Sequence, residues 1–129
     1  MGDLWGILEW VGRFVFVGFF LMSGVSHFTN MKGLVGYAQS KHVPAAGVAV
    51  PVSGLMLLAG GVMILVRWHP GVGAILLILF LLPAAFMVHN FWTETDPMMK
   101  ANQQAHFWKN IALAAAALLY LVAHHRRAL

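Results

Sequence analysis

Four long apolar stretches separated by three polar breaks set the pattern of this chain, at approximately residues 4–28, 45–66, 71–90 and 104–123. A helix that crosses a membrane needs roughly 20 mostly apolar residues, and each stretch provides them. The breaks differ in kind. "RWHPG" between the second and third stretches predicts a tight turn, with Pro70 placed to open the next helix. Residues 29–44 form a longer connection with Gly33, Gly36 and Lys41, and leave room for a short interfacial helix. "TETDPMMKANQQ" is polar and belongs at the headgroup level. Pro51 and Pro83 fall inside helical runs, where each removes a backbone donor and is expected to kink its helix. Small residues mark close helix approach in lipid: Gly18 and Gly24, then Gly54, Gly60 and Gly61, then Ala114 to Ala117. The expectation is an all-α integral membrane protein, an up-down four-helix bundle forming a single domain over residues 1–129.

Composition strengthens this reading. Hydrophobic residues make up 60% of the chain and charged residues 9%, against about a quarter in soluble domains, so lipid must solvate most of the surface. Asp3 stands where the positive start of a cleaved leader belongs, so the first stretch reads as a spanning helix. The net charge of +4 is spread along the chain rather than gathered in a stripe. That pattern excludes nucleic acid as a partner and suits loops that face anionic lipid. There is no cysteine, so disulfide relays, thiolate nucleophiles and Cys-ligated zinc are excluded, and any redox chemistry needs a bound cofactor.

Topology then sorts the polar residues. His27 ends the first helix, His89 and Asn90 end the third, and His106 and Asn110 begin the fourth, so all five fall near one membrane face. Glu94 and Asp96 belong to the loop over that layer, and Trp92 and Trp108 lie at the same level, where indoles prefer the interface. A shared polar pocket is one reading; helix-end capping by each residue on its own is the other. Lys109 fits a snorkelling cation as well as a pocket residue. Arg13 lies deep in the first helix, and Glu9 one turn earlier is in the favourable order for an ion pair. Arg13, Gly24 and His27 share a helical face, which leaves a structural Glu9–Arg13 pair and a ligand-binding Arg13 both open. His89, Glu94 and His106 are metal-ligand types without a tight motif, so metal binding stays undecided. Ser23 and Ser26 precede His27, but helical serines commonly bond back to a carbonyl, so no nucleophile stands out.

At this point the residues resemble the DoxX family of small four-helix bacterial membrane proteins. Arg13 followed by "GFFLMSGVSHF", then "MVHNFW" at the end of the third helix and "HFWKNIALAAAALL" at the start of the fourth, carry the likeness. The chain departs from the family pattern at Ser53, where many members have an acidic residue, and at Ala115 and Ala116, where glycines are common. By position the resemblance marks Arg13, Gly24, His27, His89, Asn90, Lys109 and Asn110 as pocket candidates, which His106 joins by its place in the layer. It implies a redox-associated subunit that binds a quinone or similar lipophile, since founding members accompany a thiosulfate:quinone oxidoreductase and others belong to oxidative-stress assemblies. It further implies a multi-pass place in the bacterial inner membrane, with both termini cytoplasmic and the histidine layer on the outer side. A non-catalytic module that binds lipid or stabilises a partner protein is the alternative; a homo-oligomer and a small transporter subunit are further readings. Counting of flanking cations does not fix orientation.

Overall fold

The computed structural model describes residues 2–128. Five helices and one short 3-10 turn make up the fold: α1 (Gly2–Thr29), α2 (Met31–Ser40), α3 (Ala46–Leu65), α4 (Pro70–Met87), the 3-10 turn Phe91–Thr93, and α5 (Pro97–Ala128). There is no strand among the described residues. Four segments are long and apolar enough to cross a membrane: Gly2–Thr29, Ala46–Leu65, Pro70–Thr93 and Pro97–Arg127. The expected all-α membrane bundle is therefore the observed fold.

Each spanning helix buries one narrow stripe. On α1 it is Arg13, Val17, Phe20 and Gly24; on α5 it is Gln103, Phe107, Asn110, Ala114 and Ala117. The steps alternate between three and four residues, as on one face of a 3.6-residue helix. Val17, Phe20, Leu57, Ile64, Leu77 and Leu81 form the centre of the core, all 2% exposed or less.

Helix order in space follows the chain. Both α1 and α4 pack on α3, and α5 packs on α4. Among the described residues, no Cα of α1 comes within 8 Å of one in α5. The ring is thus closed in backbone terms on three sides and left as a side-chain seam on the fourth.

Glycines account for the close sides. A Cβ at Gly60 would lie 2.8 Å from the Gly73 carbonyl oxygen, and one at Gly73 would lie 2.7 Å from the Gly60 oxygen. Here α3 and α4 touch backbone to backbone, the packing mode available to helices in lipid. Gly24 and Gly54 play the matching part between α1 and α3. Gly18, also expected at a contact, has open space where its Cβ would be. Within the alanine run only Ala114 and Ala117 are buried, because Ala115 and Ala116 fall off the inward stripe.

The first connection holds the short helix expected there, and two helix boundaries depart from expectation. The long first connection is mostly the helix α2, which packs on α3. The third spanning helix stops at Met87 rather than Asn90; Val88 and His89 both donate to the Ala84 carbonyl, ending the regular ladder and releasing His89 and Asn90 into a turn. The fourth begins at Pro97 rather than near residue 104. There Asp96 Oδ2 accepts the Met99 amide at 3.0 Å and Pro97 occupies the first helical position, a strong N-terminal signal that outweighs the polarity of the following turn. Both proline-bearing helices run on through Pro51 and Pro83.

The α3–α4 contact makes a direct prediction. Gly60→Ala should destabilise the fold by about 1–3 kcal/mol, the usual cost of overpacking, and lower the thermal unfolding midpoint in detergent. Gly12→Ala, at a position with nothing within 4 Å, should leave that midpoint nearly unchanged.

Candidate functional site

The polar residues separate into two groups at opposite ends of the bundle. His27 follows Arg13 by fourteen residues of continuous helix, or about 21 Å at 1.5 Å per residue. The expectation of one pocket holding both is corrected on this ground: they share a face and occupy different depths.

At the end bearing the termini, Arg13 is 8% exposed. Its Nη1 donates to the Ile64 carbonyl oxygen at 2.5 Å and to the Tyr120 hydroxyl at 3.2 Å, and its Nη2 donates to Glu9 Oε1 at 2.6 Å. Glu9 Oε2 also accepts from Arg67 Nη2 at 2.7 Å. The Trp10 ring lies near both guanidiniums, with centroid distances of 5.4 Å to Arg13 and 4.9 Å to Arg67. Ile64 is in the last turn of α3, where its carbonyl oxygen accepts the Arg67 amide at 3.4 Å, and the buried cation of α1 adds a closer bond that caps α3. The arrangement ties α1, α3 and α5 together and borders a cavity of about 300 Å³.

At the other end lies a cavity of about 380 Å³. Phe19, Phe20, Phe80 and Leu81 give it apolar walls, and His27, His89, Lys109 and Asn110 line it with polar groups from α1, the turn after α4, and α5. Tyr37 of α2 and Ser53 of α3 also reach it. Its size and its few convergent polar groups are those of a small-molecule site. Phe19 and Lys109 face each other across the α1–α5 seam, with Nζ 5.4 Å from the ring centroid, so the cavity lies along the gap that the helices leave open.

Each polar group is held differently. His27 Nδ1 donates to the Ser23 carbonyl oxygen at 2.7 Å. His89 Nδ1 donates to Gln103 Oε1 at 2.8 Å, and Gln103 Nε2 in turn donates to the Tyr37 hydroxyl. Gln103 is 4% exposed and bridges α2, α5 and the turn after α4. Lys41, just after α2, donates to Asn90 Oδ1 at 3.0 Å and to Glu94 Oε1 at 2.8 Å. These contacts fasten α2 over the cavity. Phe107 meets Phe86, Phe91 and Trp92 at centroid distances of 5.3, 5.4 and 5.7 Å, so "HNFW" is clamped to α5 by aromatic packing.

Of the residues singled out from sequence, His27, His89, Lys109 and Asn110 meet at the cavity. Asn90 belongs to its fastening through Lys41, and His106 stacks on His89 at 5.1 Å from outside the lining. Gly24 is a contact between helices, since a Cβ there would lie 2.8 Å from Leu58 and 3.1 Å from the Gly54 oxygen. Asp96 caps α5 rather than covering the layer. Among the described residues no group of three or more metal-ligand side chains converges, and Glu94 pairs with Lys41. Tyr37, Lys41 and Gln103 were missed. Gln103 had a signal, because it stands seven residues before Asn110 and so on the same helical stripe.

Fold and site together define a small multi-pass membrane protein with a ligand-sized cavity near one face. The DoxX family model matches residues 8–90, and the chain belongs to that family. It is similar to the inner membrane protein YphA of Escherichia coli (strain K12), at 26% identity over 116 residues that cover 90% of this chain and 82% of that protein. With four spanning helices, this supports a multi-pass place in the bacterial inner membrane. No solved structure matches.

The Arg13 cluster predicts unequal roles for its two arginines. Arg13→Leu removes a buried charged hydrogen bond to the Ile64 carbonyl and should cost about 2–3 kcal/mol. Arg67→Ala removes an exposed pair and should cost under about 1 kcal/mol. Thermal unfolding in detergent, followed by tryptophan fluorescence, measures both.

Proposed function

We propose that the protein binds a lipophilic small molecule in the cavity beneath α2, with the head against His27, His89, Lys109 and Asn110 and the tail along the α1–α5 seam. The observation that carries this reading is Asn110: it is 4% exposed, lines the cavity, and has no side-chain hydrogen bond to another described residue. An amide that reaches the cavity without a protein partner is free to pair with a ligand head. Lys109 adds a cation with no carboxylate on the cavity wall. The DoxX resemblance supports a quinone-type ligand and a role beside a redox partner. It likewise supports the cytoplasmic placement of both termini, which would put this cavity toward the outer face.

Mass spectrometry of the organic extract of the purified protein tests the reading. A quinone-type lipophile should be enriched over the bulk membrane extract. A decyl-tailed benzoquinone or its hydroquinone should raise the melting temperature of the wild type, and Asn110→Leu should abolish that rise while melting near the wild-type temperature without ligand. Bulk phospholipid alone, with no shift from either compound, would replace this reading with that of a lipid-filled assembly module.

A further inference from the structure

In the structure the two cavity histidines hold the same tautomer, and this constrains what the cavity can hold. A carbonyl oxygen can only accept, so the 2.7 Å contact with the Ser23 oxygen puts a proton on His27 Nδ1. In the neutral imidazole Nε2 is then a bare lone pair, on the side of the ring away from its own helix. At His89 the same outcome arises by a longer route. As the Gln103 amide is placed in the structure, Nε2 donates to the Tyr37 hydroxyl and Oε1 faces His89, and in this orientation His89 Nδ1 carries the proton and Nε2 is again bare. Gln103 is thus a positioning residue: buried, outside the cavity lining, and acting through His89. Two acceptors from two different elements therefore border one small apolar cavity, beside two donors, the Lys109 ammonium and the Asn110 amide.

A head that offers only carbonyl oxygens satisfies the donors and leaves both imidazole lone pairs unpaired. A hydroxyl satisfies both kinds at once, giving its proton to a histidine and accepting from the lysine or the amide. Resting on the cavity reading above, we infer that the site selects a lipophile whose head donates O–H hydrogen bonds, a hydroquinone or phenol, over the corresponding quinone. Sites built to pair a ligand hydroxyl discriminate strongly against analogues without it, because buried polar groups are then stranded.

The test compares three decyl-tailed probes with one ring and one tail: the hydroquinone, the benzoquinone, and the hydroquinone dimethyl ether, which accepts but cannot donate. Binding to the protein in nanodiscs is measured by calorimetry under reductant for the hydroquinone, which a chain without cysteine tolerates. The hydroquinone should bind about tenfold or more tightly than either of the others. In Gln103→Leu, where His89 is free to change tautomer, that preference should shrink. Nitrogen-15 NMR of histidine-labelled protein should show Nδ1 protonated and Nε2 bare at His27 and His89. Quinone or dimethyl ether binding as tight as hydroquinone, or the opposite tautomers, would overturn the inference and leave the cavity proposal standing. If none of the three probes binds, the cavity proposal itself fails and this inference goes with it.

Discussion

Everything in this molecule depends on how closely α3 can approach its neighbours. Among lipid tails there is no hydrophobic force to draw helices together, so contact must come from packing and from polar pairs. The glycines of α3 meet the backbone of α4 on one side and side chains of α1 on the other. With α3 holding both neighbours and α4 holding α5, the first and last spanning helices bring no Cα atoms within 8 Å of each other among the described residues. The space between them is filled partly by large side chains and partly by two cavities. The site is therefore a by-product of where the small residues lie.

The two ends of the seam are built by different chemistry. At the terminal end, one carboxylate is shared by two guanidiniums, and the Arg13 hydrogen bond to the Tyr120 hydroxyl crosses the seam to α5. At the other end the polar groups are fastened from behind: His27 by its own helix, His89 by Gln103, Asn90 by Lys41. Their remaining capacity is turned to the cavity. This difference separates a structural cluster from a candidate ligand site better than charge or burial alone, since Arg13 and Asn110 are both deeply buried.

Most of the architecture was legible in the chain because membrane spans announce themselves by length and apolarity. The sharing of one end by His27, His89 and Asn110 followed from topology alone. What could not be read was depth and pairing. Arg13 and His27 lie on one face by helical periodicity, yet the same arithmetic puts them at opposite ends, and the likeness of their chemistry concealed that. The boundary at Pro97 was concealed by a polar first turn, although Asp96 and Pro97 form a recognisable start signal. Tyr37, Lys41 and Gln103 were hidden because their roles arise from packing of α2 against distant segments, with sequence separations of 49 to 66 residues. No local pattern encodes such contacts.

The seam between α1 and α5 bears on how the cavity exchanges its contents. At 32 residues, α5 is about 48 Å long, well beyond a hydrocarbon layer of about 30 Å. Its Gln103 end thus lies toward the headgroups while the seam below faces acyl chains. A guest that enters sideways never leaves the bilayer, so its occupancy follows its mole fraction in one leaflet rather than its concentration in water. Affinity for such a guest is a two-dimensional partition problem, and a very weak-looking aqueous constant is compatible with a site that is full at all times.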